Sequence, residues 1–323
     1  MNPTPSGERV PRFVQLQQSD PGAVRTELAA GLQARAAVTS PKYLYDALGS
    51  RLFEAITELP EYYPTRVEAA IFARHAAAMA ARLPPGLTLV DLGAGNCEKA
   101  ARLFALLQPA RYVAVDISVV FLRKVLQGLQ RRYPELDMLG VGLDFSAQLA
   151  LPPEVGAGAR LLFYPGSSIG NFTPEEALTF LRQARQAAQG GGLLIGVDLV
   201  KPAAVLEPAY DDALGVTAAF NRNMLLHINH LLGSDFDVTQ WRHRALYNAP
   251  QARIEMHLDA LQDLTVRWPG AQREFKQGES IHTENSYKYT PSQFDALLRA
   301  AGFLRLEQWS DPQDWFAVFL ARD

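Results

Sequence analysis

Short apolar runs alternate with helical patterns through the middle of this chain, and that alternation constrains the fold more than any other feature. The runs fall at residues 87–92, 111–117, 138–143, 161–164 and 193–199, and helical patterns lie between most of them at 99–107, 119–133 and 174–188. Runs that stay apolar at successive positions, separated by helices, predict a parallel sheet buried on both faces. After Lys201 the alternation stops. Residues 208–233 are predicted to be helical, strand-like runs follow at 253–258 and 264–268, and 291–300 is predicted to be a helix. The last two runs, 303–309 and 315–321, are joined by Ser310-Asp311-Pro312-Gln313-Asp314. That loop is too short for a crossover helix, so the two runs are expected to pair antiparallel. The predicted class is α/β, a doubly wound sheet closed by a C-terminal antiparallel hairpin.

Composition narrows what such a chain does. Of 323 residues, 48% are hydrophobic and 20% charged, enough for one large domain or two ordinary ones with substantial cores. The net charge is −3, from 31 basic and 34 acidic residues, so no basic excess exists to offset a phosphate backbone and no nucleic-acid partner is expected. The single cysteine, Cys97, excludes a disulfide framework and a multi-cysteine zinc or iron–sulfur site. No apolar run approaches the roughly 18 residues of a membrane span, and the polar start lacks an apolar signal core. A cytoplasmic protein with no membrane partner is expected, with residues 1–20 a flexible N-terminus. No heptads point to a coiled-coil dimer, and a monomer is expected. Residues 21–82 have a helical pattern broken by the rigid segment Pro60-Glu61-Tyr62-Tyr63-Pro64. The expected division is a nucleotide-type domain of residues 67–200 and 290–323, with residues 21–66 and 201–289 forming a second lobe over the C-terminal strand ends. Open α/β sheets bind ligands at that edge.

The first strand runs into Leu89-Val90-Asp91-Leu92-Gly93-Ala94-Gly95-Asn96. Gly93 and Gly95 permit a tight turn and close approach to a ligand. Glu98 stands where a dinucleotide-binding turn has its third glycine, which suits a cofactor without phosphate. Asp116 ends the second strand, where a carboxylate accepts both hydroxyls of a ribose; the alternative is an N-cap, for which Ser118 serves equally. Asp144-Phe145 ends the third strand, where an acid accepts from an adenine amino group while the ring packs on the base; the alternative is a turn aspartate. Together these residues describe an adenosine pocket. The histidines, His75, His227, His230, His243, His257 and His282, form no ligand spacing, and no metal is expected.

Longer motifs carry a resemblance. Tyr43-Leu44-Tyr45-Asp46, Leu59-Pro60-Glu61-Tyr62-Tyr63-Pro64-Thr65-Arg66, Gly166-Ser167-Ser168-Ile169-Gly170-Asn171, Ala209-Tyr210-Asp211-Asp212, Arg253-Ile254-Glu255-Met256 and Thr283-Glu284-Asn285-Ser286-Tyr287-Lys288 resemble the histidine-specific S-adenosylmethionine-dependent methyltransferase family. The resemblance runs from about Pro41 to the C-terminus. It is strongest to the enzymes of ergothioneine biosynthesis that trimethylate the α-amine of L-histidine. It implies a Rossmann-like class I methyltransferase sheet with a substrate-binding lobe. S-adenosylmethionine would be bound by Tyr45, Gly93, Gly95, Lys99, Asp116, Asp144 and Phe145. Tyr62, Asn171 and Tyr210 would hold the amino and carboxylate groups of histidine, and with Tyr45 would form the catalytic set. Glu284 and Ser286 would grip the imidazole, with Met256 beside it. Ala94 and Asn96-Cys97 replace the serine or threonine that is frequent in relatives, in a loop whose backbone would do the binding.

Methyl transfer to an amine moves positive charge from sulfur to nitrogen without creating any, so alignment and desolvation suffice once the amine is neutral. An α-amine is mostly protonated near pH 7, and tyrosine hydroxyls and an asparagine amide can orient its lone pair. A carboxylate facing the ring N–H would reject an amino acid lacking that donor. Two alternatives are the same fold acting on another amino acid or biogenic amine, and a silent adenosine- or dinucleotide-binding module. The hairpin, the missing third glycine and the tyrosine-rich second lobe disfavour the latter.

Overall fold

The computed structural model of the chain describes residues 9–16, 20–117, 119–146 and 148–323. Strand β1 (Arg12–Gln15), helix α1 (Pro21–Gln33), strand β2 (Ala37–Val38) and helices α2 (Ala47–Thr57) and α3 (Tyr63–Ala80) come first. The alternating region follows as β3 (Thr88–Leu92), α4 (Glu98–Ala101), α5 (Phe104–Leu107), β4 (Arg111–Asp116), α6 (Val119–Arg132), β5 (Asp137–Gly142), β6 (Arg160–Tyr164), α7 (Pro174–Ala188) and β7 (Gly192–Asp198). The remainder is α8 (Ala203–Leu206), α9 (Val216–Leu232), β8 (Trp241–Asn248), β9 (Arg253–Ala260), β10 (Leu264–Trp268), β11 (Ala271–Phe275), β12 (Ser280–Tyr287), α10 (Pro291–Ala300), β13 (Arg305–Ser310) and β14 (Phe316–Arg322).

The large sheet has eight strands in the order β1-β5-β4-β3-β6-β7-β14-β13. The first six run parallel; β14 is antiparallel to both β7 and β13. This is the doubly wound sheet with a terminal hairpin that the apolar runs predict. Every residue of β6 and β7 is buried, because helices cover both faces.

Three local features depart from the sequence reading. Arg12–Gln15 lie in the stretch expected to be flexible, yet they add a parallel edge strand to β5. Phe13 fills the space left by Gly140, whose added Cβ would fall 2.6 Å from the ring, and Arg12 pairs with Asp137 at 3.1 Å. Residues 1–8 and 17–19 of that stretch, and Ser118, lie outside the described residues. The single helix expected at 99–107 is two short turns, α4 and α5. The helix expected at 208–233 starts only at Val216, where the Asp212 carboxylate accepts from the backbone N–H of Val216 at 3.0 Å and of Thr217 at 2.7 Å. Tyr210 is therefore held in the break before the helix rather than on it.

Strands β8 and β12, not anticipated from the sequence, join β9 and β2 in a four-stranded sheet of order β2-β12-β9-β8. This sheet, α1, α2 and α9 share one hydrophobic cluster that includes Leu32, Phe220, Met224, Trp241 and Ile281. The chain then returns to the large sheet beyond the end of β7, where Val200 N–H donates to the Tyr289 carbonyl at 3.0 Å.

The turn Ser168–Asn171 packs against β12 so closely that only glycine fits at its third position. A Cβ on Gly170 would lie 2.8 Å from the Tyr287 carbonyl oxygen and 3.1 Å from its nitrogen. Gly170→Ala is expected to cost about 1–3 kcal/mol, the usual range for overpacking, read by calorimetry as a lower melting temperature. An unchanged melt would mean that the turn retreats from β12 freely.

Candidate active site

At the C-terminal ends of β3 and β4 the chain builds a cradle from backbone. Gly93 and Gly95 take φ values of 70° and 50°, in the left-handed region that glycine occupies without strain. The N–H groups of Gly93 and Ala94 donate to the Val115 carbonyl at 2.9 and 3.0 Å, and Gly95 N–H donates to the Asp116 carboxylate at 3.1 Å. The turn is thereby latched to the end of the neighbouring strand. Phe145 approaches from the other side, its ring tip 3.8 Å from where a Gly93 Cβ would stand. Asp144 accepts from the Ser146 N–H at 3.1 Å and from the Ser146 hydroxyl, so the turn-aspartate role is realised alongside any other. Gly93, Phe145 and Asp116 line the same cleft.

Two buried acids here escaped the sequence reading. Glu68, on α3 and 1% exposed, accepts from Lys99 Nζ at 2.6 Å and from Gly166 N–H at 2.7 Å. It thus joins the helix after the glycine turn to the loop after β6. An acid within an alanine-rich helix was the available signal. Asp91 lies under the turn with Tyr112 Oη donating to it at 2.7 Å; burial pushes its carboxyl up to about 7.

The cleft continues into a smaller cavity. Tyr45, Tyr62, Asn171 and Glu284 line both spaces, and Tyr210, Met256 and Ser286 line the inner one. Strand pairing explains the grouping. Glu284 and Ser286 are two residues apart on β12 and face the same side, and Met256 on β9 is the cross-strand partner of Glu284. A register shift between His282 and Glu284 re-aims this end of the strand. The tyrosines arrive from breaks between helices. Tyr45 packs edge-on against Phe53 at 5.6 Å and Phe220 at 5.5 Å, and Tyr62 against Phe53 at 6.1 Å and Tyr210 at 6.3 Å. Phe53 and Phe220 complete this aromatic wall; helical periodicity alone marks them as core.

Below the inner cavity lies a buried charged cluster. Asp198 receives Lys201 at 2.6 Å and Lys288 at 2.8 Å, and Tyr63 Oη donates to both of its oxygens at 2.9 and 2.8 Å. Burial works against ionisation of Asp198, yet the two ammonium groups hold its carboxyl below the ordinary value. Glu284 has less help. Burial pushes it up to about 7, although Lys288 and the Asn171 amide act in the opposite direction.

Strand pairing also assembles Glu255, His257 and His282, whose ligand atoms lie within 4.8 Å of one another among the described residues. Glu255 and His257 flank Met256 and so face the other side of the sheet. The two imidazoles stack face to face at 4.6 Å, and Glu255 already accepts from Arg253 at 2.6 and 2.8 Å and from Asn248 at 2.9 Å. A cation there would sit beside the Arg253 guanidinium, so this geometry does not favour a metal.

The Glu284 carboxyl titrates about 7 in the folded chain against an ordinary 4.5. Between those values the folded state holds a proton that the unfolded chain has lost, so this group's contribution to stability falls as pH rises. Glu284→Gln should therefore raise the melting temperature by more at pH 8 than at pH 5. Equal changes at the two pH values, by scanning calorimetry, would place Glu284 in the ordinary carboxylate range.

Comparison with known proteins gives the chain a family. Residues 24–323 match the family model described as histidine-specific methyltransferase, SAM-dependent. The chain is 40% identical over 306 residues to the histidine N-alpha-methyltransferase of Mycolicibacterium smegmatis, spanning 93% of this chain and 94% of that protein. Identity and coverage are the same for the histidine N-alpha-methyltransferase of Mycobacterium tuberculosis. With ergothioneine biosynthesis protein 1 of Neurospora crassa it shares 30% identity over 290 residues, 86% of this chain but 32% of that protein. With a match over nearly its whole length, the chain belongs to the histidine-specific, S-adenosylmethionine-dependent methyltransferase family.

Proposed function

We propose that this protein transfers three methyl groups from S-adenosylmethionine to the α-amine of L-histidine, giving hercynine in ergothioneine biosynthesis, within a site closed between two lobes. One observation carries the reading: Glu284 and Met256 share a cavity with Tyr62, Asn171 and Tyr210, and Tyr45, Tyr62, Asn171 and Glu284 also line the larger cleft that includes the glycine cradle. The nucleotide lobe would be residues 67–200 and 290–323, and the histidine lobe residues 21–66 and 201–289. The separate hydrophobic cluster under the small sheet supports that division.

S-adenosylmethionine supplies a methyl group made electrophilic by its sulfonium. Gly93, Gly95 and Phe145 would cradle the adenosine, Asp116 the ribose and Asp144 the adenine amine; Lys99 would hold the methionine carboxylate, with Tyr45 near the sulfur. Tyr62, Asn171 and Tyr210 would orient the histidine backbone so that the amine lone pair lies in line with the methyl carbon. Each of the three transfers requires the nitrogen to shed one proton first, and after the third no proton remains. The growing cation faces the rings of Tyr45, Phe53, Tyr62 and Phe220, which tolerate a methylated ammonium without a counter-ion. Glu284 would accept the imidazole N–H, and an amino acid without that donor would leave the acid buried and unpaired.

Incubation with S-adenosylmethionine and each common amino acid tests the reading. Histidine should gain about 42 Da, about 14 for each methyl that replaces a hydrogen. Turnover of tryptophan or tyrosine in its place overturns the role given to Glu284. In calorimetry, Glu284→Ala should weaken histidine binding by about 100-fold and S-adenosylhomocysteine binding by less than about twofold. Asp116→Ala should reverse that order. Equal losses for both ligands would remove the division of labour between the two ends of the site.

A further inference from the structure

We infer that Lys288 is a positioning residue that turns the Tyr210–Ser286 hydroxyl pair into a hydrogen-bond donor toward the amino-acid cavity, and so selects a substrate ring with a bare acceptor nitrogen. The inference rests on the histidine reading of that cavity and adds a residue to its recognition machinery.

Counting hydrogens carries it. The Lys288 ammonium has three, and three acceptors surround it: Asp198 Oδ2 at 2.8 Å, Tyr210 Oη at 2.9 Å and Ser286 Oγ at 2.8 Å. Its side chain is fully buried, so water takes none of them. Tyr210 Oη and Ser286 Oγ are themselves 2.8 Å apart. Each hydroxyl owns one hydrogen, and one of the two is shared within the pair. Whichever oxygen receives it then accepts twice, from its neighbour and from Lys288. That oxygen has no lone pair left and one hydrogen still to place. Tyr210 and Ser286 both line the cavity, so that hydrogen is available to a ligand atom there.

Glu284, two residues before Ser286 on the same strand face, supplies the opposite requirement, an acceptor. The wall therefore asks for an N–H and a bare nitrogen on one small ring, which is a neutral imidazole. A lysine is suited to this post because an ammonium donates and never accepts; an amide or a hydroxyl in its place would leave the direction of the pair undetermined. The same charge opposes the effect of burial on Glu284 and so favours its accepting form.

A double-mutant cycle on the full chain tests this, with histidine affinity measured by calorimetry in saturating S-adenosylhomocysteine. Lys288→Met should weaken histidine by about tenfold or more, while S-adenosylhomocysteine affinity changes by less than about twofold. Asp198 keeps Lys201 and Tyr63 in that variant. In a Tyr210→Phe, Ser286→Ala background the same Lys288→Met change should cost less than about threefold, because no hydroxyl remains to orient. Equal losses of both ligands, or the full tenfold effect in the double background, overturn the inference by making Lys288 a structural prop. If Lys288→Met does not fold, the Tyr210→Phe and Ser286→Ala pair decides alone: losses that fail to add support the shared hydrogen, and fully additive losses overturn it. A wild-type chain that binds no histidine overturns the function on which the inference rests, whereas normal wild-type binding with no effect of Lys288→Met overturns the inference alone.

Discussion

Asp198 is the contact on which the rest of the site depends. It ends β7 in the large sheet, and its two carboxylate oxygens receive Lys201 just beyond that strand and Lys288 just beyond β12 of the small sheet. A buried ion pair is weak evidence for stability, since desolvation offsets much of the Coulomb gain, but removing one partner is costly. Such a contact therefore serves geometry more than strength. Here it ties the end of β7 to the residue after β12 in the other sheet, and Tyr63 Oη and the Ser167 hydroxyl, which accepts from Asp198 N–H at 2.8 Å, add helix α3 and the loop after β6. Three segments that carry or flank site residues are referred to the Asp198 carboxylate, and a fourth to the backbone of the same residue.

The inner strands β3 to β7 of the large sheet were legible because they are buried on both faces and apolar at most positions, whereas the edge strand β1, short and partly exposed, was not. The small sheet was not, for a related reason. Strand β12 reads Ser-Ile-His-Thr-Glu-Asn-Ser-Tyr, and its polar residues are distributed over both of its faces. Glu284 and Ser286 line the cavity, while His282 stacks on His257 behind it. A strand whose partly buried face is built for recognition has no hydrophobic signature to read. The motif Thr283-Glu284-Asn285-Ser286-Tyr287-Lys288 stands out only by resemblance, and nothing within it marks Lys288 as buried.

Other misses have similarly specific causes. Apolar periodicity persists through residues 208–233, so nothing in it announced that Asp212 would cap a new helix and leave Tyr210 in the gap. Proximity between His257 and His282 follows from strand register, which sequence spacing does not encode. Of the residues proposed for the site, Gly93, Gly95, Asp116, Asp144 and Phe145 are suggested by position alone, because they sit at the ends of strands whose order the fold class already specifies.

That difference separates the two halves of the site physically. At the proposed nucleotide end the contacts would come largely from backbone and from acids at the tips of parallel strands, where any change disturbs the sheet itself. At the proposed amino-acid end they would come from side chains facing one way on paired antiparallel strands, where neighbouring positions can change without altering register. Met256 and Glu284 are direct partners on those strands, so their shapes are felt together by whatever ring lies between them and Ser286. A substrate of different size or polarity could thus be accommodated by exchanging that pair while Asp198, Lys288 and the glycine cradle stay as they are. Glu284 marks the cost of the present choice: burial drives its carboxyl up to about 7 despite Lys288 and the Asn171 amide, and a ligand donating to it would add to their effect.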